Sequence, residues 1–145
     1  MKALLQRVSQ ARVEVDGAVV GSIDQGLLVL VGIERQDDQA SADKLLQRVL
    51  RYRLFNDAAG RMNCSLQEVQ GGLLLVSQFT LAADTHKGLR PGFSTAAAPA
   101  EAAELFAYLL AQAQQAYAVV ASGRFGADMQ VHLVNDGPVT FLLEV

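Results

Sequence analysis

Two hydroxyl groups and two imidazoles are the side chains of this sequence best suited to bond-breaking chemistry. Ser77 and Thr80 stand close together, but a Ser or Thr hydroxyl becomes a nucleophile only beside a general base, and their segment contains none. His86 is the better candidate base, whereas His132 falls in an apolar segment, where a packed or surface histidine is the common case. The sequence has no Gly-x-Ser-x-Gly elbow, phosphate loop or metal-ligand pair. Cys64 is the single cysteine. Taken alone, these candidate residues do not specify a reaction.

A second polar segment precedes the last apolar run of the chain. It reads Asn135, Asp136, Gly137, Pro138, and all four residue types favour turns. Only about 5 to 6% of X-Pro bonds in folded proteins are cis. Spacing alone therefore predicts an ordinary turn between two closing strands.

Composition indicates one globular domain spanning residues 1–145. The chain is 51% hydrophobic and 19% charged, with a net charge of −3, typical of a folded protein. Its longest apolar run, residues 26–33, is shorter than the roughly 20 residues that span a bilayer, and residues 1–8 lack a signal-peptide pattern. We therefore predict a cytoplasmic protein with no membrane partner. The negative charge argues against a DNA-binding protein or a broad phosphate-binding surface.

The first half of the chain has three strong local signals. Asp16-Gly17 between two apolar stretches predicts a β-hairpin. Residues 26–33 form a continuous apolar run, which predicts a strand buried on both faces at the centre of a sheet. Apolar residues then recur at helical spacing, which predicts a helix from an N-cap at Ser41 to the vicinity of Tyr52.

The second half places the candidate segments at element ends. A strand over residues 72–76 ends at Ser77. Residues 82–98 predict a long loop, and long loops are commonly functional. Pro99 then introduces a helix over residues 100–117. Closing strands are predicted at residues 119–122, 129–134 and 139–145, with the Asn135-to-Pro138 turn between the last two.

Two segments taken together resemble a known family. Ser77-Gln78-Phe79-Thr80-Leu81 and Asn135-Asp136-Gly137-Pro138-Val139-Thr140 are similar to the two signature motifs of the D-aminoacyl-tRNA deacylases, also called D-tyrosyl-tRNA deacylases. The resemblance extends over the whole chain. It includes the opening segment with Arg7, the Asp16-Gly17 hairpin and the loop segment of residues 87–93.

This resemblance implies a fold and an assembly. It implies an α/β fold: a single compact domain with a curved, partly barrel-like mixed sheet and two main helices. It also implies a homodimer whose active site lies at the subunit interface. In that site a cis Gly137-Pro138 bond of one subunit enters the pocket of the other.

The implied activity is an editing reaction. The enzyme hydrolyses the ester between a D-amino acid and the 3′-terminal adenosine of tRNA, and it rejects the L-amino acid. A rigid turn that leaves no room for an L side chain suits such rejection. Glycine has no side chain to exclude, so glycyl-tRNA is a second expected substrate. Neither a cofactor nor a metal is expected.

The chemistry of ester hydrolysis suggests a hypothesis for the residues of the first motif. We expect the main-chain amides of Phe79 and Thr80 to stabilise the developing oxyanion, while Ser77 and Gln78 shape the pocket. The vicinal 2′-OH of the tRNA ribose assists the attacking water. A covalent role for Thr80 is the rival mechanism.

The remaining predicted roles concern the chiral and tRNA contacts. Arg7 is expected to brace the Gly-Pro turn through its fixed fork of donors. Asn135 and Thr140 belong with Gly137 and Pro138 on the substrate-binding and chirality-reading side. Lys87 and Arg90 are the candidate tRNA contacts, near the phosphates of the 3′ end.

Two alternatives remain at this stage. The first is a hydrolase of small esters or peptides that uses Ser77 or Thr80 with His86. The second is a non-catalytic dimeric binding module whose long loop holds a partner. Hydrolysis of free D-amino acid esters without tRNA would favour the first, and binding without hydrolysis would favour the second.

Overall fold

A computed structural model describes residues 1–86 and 88–145 of the chain. It opens with strands β1 (Lys2–Val15) and β2 (Ala18–Ile23), which pair antiparallel. Asp16 and Gly17 between them both have positive φ, 52° and 77°, as a two-residue type I′ turn requires. The predicted hairpin is confirmed.

In the part of the chain that the structure describes, the main sheet has six strands around a parallel centre. Strand β3 (Gly26–Gly32) pairs antiparallel with β1 and parallel with β6 (Gly72–Ser77), and β6 pairs parallel with β7 (Val120–Ser122). The strand order is β2-β1-β3-β6-β7, and β8 (Gln130–Glu144) pairs with β1 along its length. The central position predicted for residues 26–33 is confirmed.

The sheet curls until its two ends nearly meet. A Cβ added to Gly21 of β2 would collide with the carbonyl of Ser122 in β7, so the outer strands approach closely where glycine leaves room. One face of the sheet packs against the helices, where Leu27, Val29 and Leu73 are buried, and the opposite face forms a second core. The mixed α/β fold with a curved, nearly closed sheet agrees with the prediction.

Helix α1 (Gln39–Arg51) ends as predicted at the C-cap Tyr52. Its predicted N-cap is wrong, because Asp38 rather than Ser41 caps the helix. The Asp38 carboxylate accepts from the backbone N–H of Ser41 at 2.8 Å and from its hydroxyl at 3.1 Å. The pKa of Asp38 is therefore held below its usual range, first by the backbone N–H and then by the hydroxyl. A carboxylate three residues upstream satisfies the free amides at the helix start.

Helix α3 (Pro99–Ala116) begins at its proline, close to the predicted bounds. A third, four-residue helix, α2 (Leu66–Val69), adds to the two predicted ones. It begins with a capping box in which Ser65 and Glu68 each accept from the other's backbone N–H. The small strands β4 (Phe55–Asn56) and β5 (Met62–Cys64) precede it.

The predicted turn at residues 135–138 is wrong, because the chain does not reverse there. Strand β8 continues in one direction along β1, with Asn135 opposite Val8 and Thr140 opposite Gln6. Two steps along β1 thus face five steps along β8, so β8 forms a large bulge here. Residues 136–138 of the bulge are exposed, whereas the Val139 side chain is buried in the core. The Gly137-Pro138 peptide bond within the bulge is cis. We call residues 136–139 the Gly-Pro loop.

Within residues 1–86 and 88–145, no helix is both long and apolar enough to cross a membrane.

Candidate functional site

A cavity of about 460 Å³ opens at the carboxyl end of β6, beside the first residues of α3. Ser77, Gln78 and Phe79 form one wall of this cavity. Most of the remaining lining is apolar and comes from β3 and the residue after it, from α3, and from the start of β8 with the segment before it: Val31, Ile33, Ala102, Phe125, Met129 and Val131. The cavity size lies within the usual 300–1,000 Å³ of small-molecule sites.

The backbone at this wall leaves two amides without partners in their own turn. The backbone N–H of Gln78 donates to Val31 at 2.7 Å and continues the pairing of β6. A 3₁₀ turn, Phe79–Ala82, then begins, with Leu81 N–H donating to the Gln78 carbonyl. The first amides of a helical turn have no carbonyl behind them, and among residues 1–86 and 88–145 those of Phe79 and Thr80 have no backbone acceptor. Both amides can therefore donate to a substrate oxygen.

The Thr80 hydroxyl is oriented by its neighbour. Gln78 Nε2 donates to Thr80 Oγ1 at 2.6 Å. An amide N–H₂ only donates and cannot take up a proton. The contact therefore positions the hydroxyl without activating it as a nucleophile.

Neither histidine lines the cavity. His86 lies in the exposed loop, where its Nδ1 is 2.8 Å from Asp84 Oδ1. The pKa of Asp84 is lowered because the backbone N–H of His86 and then its ring bond the carboxylate. His132 lies on β8, with Nε2 3.5 Å from Glu14 Oε2. Among the cavity-lining residues that the structure describes, none carries an acidic or basic side chain.

Arg7 holds the Gly-Pro loop from the sheet side. The residue is only 8% exposed. Nε donates to the Asp136 carbonyl at 2.8 Å and Nη1 to the Leu54 carbonyl at 2.7 Å, with Asn56 Oδ1 at 3.4 Å from Nη1. The carbonyl immediately before Gly137 is thereby tied to the chain that follows α1.

Asn135 closes the neck of the loop. Its Oδ1 accepts from Val139 N–H at 2.8 Å, and its Nδ2 donates to the Val139 carbonyl and to Thr140 Oγ1, both at 3.2 Å. The side-chain amide thus replaces the strand partner that Val139 lacks. Its polar groups face the loop itself, while Gly137 and Pro138 are exposed.

The structure separates the two predicted motifs within one chain. Ser77 lies opposite Val31, which lies opposite Ala3 of β1, whereas the Gly-Pro loop stands beside Arg7. Four residues of strand place these levels about 13 Å apart along β1. Neither Gly137 nor Pro138 lines the cavity.

The predicted tRNA contacts belong to the loop after the 3₁₀ turn. Arg90 is exposed on this loop, and Lys87 lies outside the described residues. Sequence reasoning missed Phe125 and Met129 of the cavity and Phe93, whose ring packs on Phe79. Phe93 and Phe125 are large apolar residues outside the predicted strands and helices, which was their only signal, and Met129 was assigned only as the first residue of a predicted strand.

Comparison with known proteins gives concordant matches. The family model described as D-Tyr-tRNA(Tyr) deacylase matches residues 4–144. Proteins named D-aminoacyl-tRNA deacylase from Pseudomonas savastanoi pv. phaseolicola and Pseudomonas syringae pv. tomato are 73% and 74% identical over 144 residues, 99% of both chains. The relative of the same name from Pseudomonas putida strain W619 is 70% identical over the full 145 residues of both chains.

Solved structures share the fold. One described as c-Myc DNA Unwinding Element Binding Protein has a TM-score of 0.96 and 38% identity, covering 100% of this chain and 99% of its own. Another, described as a probable eukaryotic D-amino acid tRNA deacylase, has a TM-score of 0.88 and covers 99% of this chain and 98% of its own. At 15% identity the second match concerns the fold alone.

Proposed function

This chain belongs to the D-Tyr-tRNA(Tyr) deacylase family and is a D-aminoacyl-tRNA deacylase, a hydrolase, and from that premise we propose how its residues carry out the reaction. The proposed substrates are D-aminoacyl-tRNAs and glycyl-tRNA, cleaved at the ester to the 3′-terminal adenosine. The proposed site combines the cavity of one subunit with the Gly-Pro loop of a second copy.

The observation that carries the mechanism is the pair of amides at Phe79 and Thr80, which have no backbone acceptor among the described residues and lie beside an apolar cavity. With the ester carbonyl oxygen between them, both N–H groups would stabilise the negative charge that develops when water attacks. Ser77 and Gln78 shape the wall that holds the carbonyl in place. The apolar part of the cavity suits the adenine ring and the amino-acid side chain.

The absence of a base from the described cavity lining fits an activated ester. Water adds to the carbonyl carbon, the bond to the ribose 3′ oxygen breaks, and a proton from the water ends on that oxygen. The neighbouring 2′-OH of the ribose can relay this proton, so the protein acts mainly by positioning. The Gln78 contact to Thr80 supports this route over a Thr80 nucleophile.

Chirality is read by backbone in this proposal. The Gly-Pro loop presents main-chain carbonyls to the α-amino group and occupies the space that an L side chain would need. Arg7 and Asn135 hold the loop, and Thr140 completes the hydrogen bonds at its neck. Asn135 therefore acts by positioning the loop, because its polar groups are already engaged within it.

The separation of loop and cavity supports a dimeric site. An exposed loop outside its own cavity can reach a cavity only in another copy, and a two-fold dimer would build two such sites. Arg90 of the long loop, with Lys87, would meet nearby phosphates. Contacts this few predict a weak dependence of KM on salt.

The first experiment measures deacylation of D-tyrosyl-tRNA, L-tyrosyl-tRNA and glycyl-tRNA by the purified protein. The buffer is reducing and near neutral, as in the cytosol, and contains no added metal. We expect the D and glycyl esters to be hydrolysed and the L ester to remain. Hydrolysis of free D-tyrosine esters without tRNA would instead support a small-ester hydrolase. Retention of all three tRNA esters would refute the proposal.

A subunit-mixing experiment tests the shared site. Ala127→Phe fills the cavity, since Ala127 forms part of its lining. Gly137→Ala displaces the loop, because a Cβ there would collide with the main-chain nitrogen of Val139 and lie 2.7 Å from its Cγ2. Each variant alone should be inactive.

Mixed subunits should regain activity if the site is shared. After random exchange, half of the dimers contain one of each variant, and one of their two sites is then fully native, so about one quarter of the native activity returns. A site built within one chain predicts no recovery. Ultracentrifugation of the mixture confirms that both variants assemble.

A further inference from the structure

An exposed pair of aromatic rings continues the cavity wall onto the surface. The rings of Phe79 and Phe93 have centroids 5.0 Å apart and planes at 41°. Phe79 is 61% exposed and Phe93 is 40% exposed. Large aromatic residues gain stability from burial, so two adjacent exposed rings at a candidate site indicate a surface kept for binding.

The two rings of the pair belong to different parts of the site. Phe79 belongs to the cavity wall, whereas Phe93 lies outside the lining, in the long loop. The backbone around Phe93 is fixed: Asp84 and Gly92 exchange hydrogen bonds of 2.7 and 3.0 Å, and the Phe93 carbonyl accepts from Ala96 N–H at 3.2 Å. The aromatic surface therefore leads from the cavity rim outward on an ordered loop.

We propose that this pair is a stacking surface for the base that precedes the terminal adenosine of the tRNA. The inference rests on the proposed function, in which the terminal adenosine and its ester enter the cavity. The nucleotide before it must then pass the rim where Phe79 and Phe93 lie. Single-stranded nucleic acid binds to such aromatic faces with little regard for base identity.

The charge of the protein favours stacking over phosphate contacts as the source of binding. With a net charge of −3, the chain attracts the tRNA backbone weakly. Base stacking is apolar and depends little on salt, so it can hold the 3′ end where Coulomb attraction does not. It also suits an editing enzyme that acts on many tRNAs, because their single-stranded 3′ ends share the same final bases.

The test compares two substrates that differ only in the preceding nucleotides. D-tyrosyl-tRNA carries the proposed stacking base, and the 3′-D-tyrosyl ester of adenosine does not. The quantity measured is the ratio of their kcat/KM values for the native protein, Phe93→Leu, Phe93→Tyr and the control Leu89→Ala. Leu89 lies on the same loop and is fully exposed, so its truncation removes apolar surface without an aromatic face.

We expect Phe93→Leu to lower the ratio about tenfold, the usual scale for one base on an aromatic ring. Phe93→Tyr, which retains the ring, and Leu89→Ala should keep the native ratio. With the native protein, a D-tyrosyl-tRNA that has an abasic penultimate nucleotide should show a kcat/KM about tenfold lower than that of intact D-tyrosyl-tRNA. With Phe93→Leu, removal of the base should cause no additional loss of kcat/KM.

An equal loss for both substrates in Phe93→Leu would overturn the proposal, since it would mean that Phe93 supports the cavity by packing. Dissociation of the dimer in Phe93→Leu would also overturn it, because the rings would then be covered by a second copy. If the native protein cleaves neither D-tyrosyl-tRNA nor the adenosine ester, the proposed function itself is refuted. An unchanged ratio with an active enzyme would refute only the stacking surface.

Discussion

Replacement of Arg7 by methionine should loosen the Gly-Pro loop and weaken the fold. Methionine keeps much of the length of the buried side chain but removes the donors to the carbonyls of Asp136 and Leu54. A hydrogen bond from a charged donor contributes about 1.5–3 kcal/mol, and a carbonyl left without its partner in a buried site adds to the loss. The Asp136 side chain is half exposed, so water near this residue can replace part of the bond to its carbonyl. The expected loss in the free energy of unfolding is about 3–5 kcal/mol.

Urea unfolding and a chirality assay together test this prediction. With a typical slope of about 2 kcal/mol per molar urea, the unfolding midpoint should fall by about 2 M. At low urea, where the variant is folded, hydrolysis of D-tyrosyl-tRNA should slow, and the preference for D over L should fall at least about tenfold, equivalent to 1.4 kcal/mol. Arg7→Lys should recover part of the stability, because its ammonium can reach one carbonyl but cannot span two as a fork.

The matched control is Arg12→Met on the same strand. The Arg12 side chain is exposed and pairs with Glu14 two residues away, so its loss should leave both the midpoint and the chiral preference near native values. If Arg7→Met lowers stability but retains the full preference for D over L, Arg7 does not position the chirality-reading loop. Retention of native stability would refute the energetic argument as well.

Three further predictions concern the loop, the mechanism and the acid limit of the fold. Asn135→Asp keeps an acceptor for Val139 N–H but sets a carboxylate oxygen against the Val139 carbonyl, so the preference for D over L should fall with little change in melting temperature. A native preference in a paired D and L deacylation assay would contradict this. Thr80→Ala should keep kcat within about threefold of native, because only its backbone amide is used. Complete loss of single-turnover hydrolysis would contradict this prediction and favour the rival role of Thr80 as a nucleophile. Asp38→Asn should reduce the acid sensitivity of folding. The folded pKa of Asp38 is lowered, so its contribution is present above the ordinary carboxyl range and is lost as pH falls through the folded pKa. Asn caps helices as well as Asp does, so the variant's melting temperature should match the native value at pH 7 and fall less at pH 3. An equal fall in both proteins would contradict the prediction.

Elements with strong local signals were predictable from the sequence. The Asp16-Gly17 turn specifies its own dihedral angles, and the apolar run of β3 indicates burial on both faces before any partner is known. The end of β6 at Ser77 also followed from pattern. These features depend on residues within a few positions of one another, where propensity and periodicity operate.

The errors arose where tertiary pairing overrides local preference. Asn, Asp, Gly and Pro favour a turn, but β1 continues past this point and offers β8 a partner on both sides of the bulge. The polar residues therefore bulge outward while the strand goes on. At α1 two side chains could cap the helix, and the carboxylate of Asp38 prevailed over the hydroxyl of Ser41. Helix α2 is too short for a periodic signal.

The candidate site was predictable in its motifs but not in its geometry. Spacing along the chain says nothing of the distance between Ser77 and Gly137, which is decided by strand register. The apolar lining from Phe125 and Met129 comes from a connection without periodicity, so only the fold brings those residues to the cavity. The sequence motifs therefore indicate which residues are candidates for the site, but they do not indicate which of these residues lie on the same surface.

Strand β1 sets the geometry of both halves of the proposed site. Through β3, its residue Ala3 fixes the level of Ser77 and the cavity, and its residue Arg7 fixes the carbonyl before Gly137. Because a paired strand has a nearly constant rise per residue, the offset between cavity and loop is the same in every copy of the chain. Under the proposed two-fold assembly, that fixed offset lets each subunit place its loop in the other's cavity with one geometry. A substitution that shifts the β1 register by one residue would invert its buried face and misplace both the cavity wall and the Gly-Pro loop. Editing and folding should therefore be lost together. Changes confined to Asn135, in contrast, should impair editing while the fold is retained.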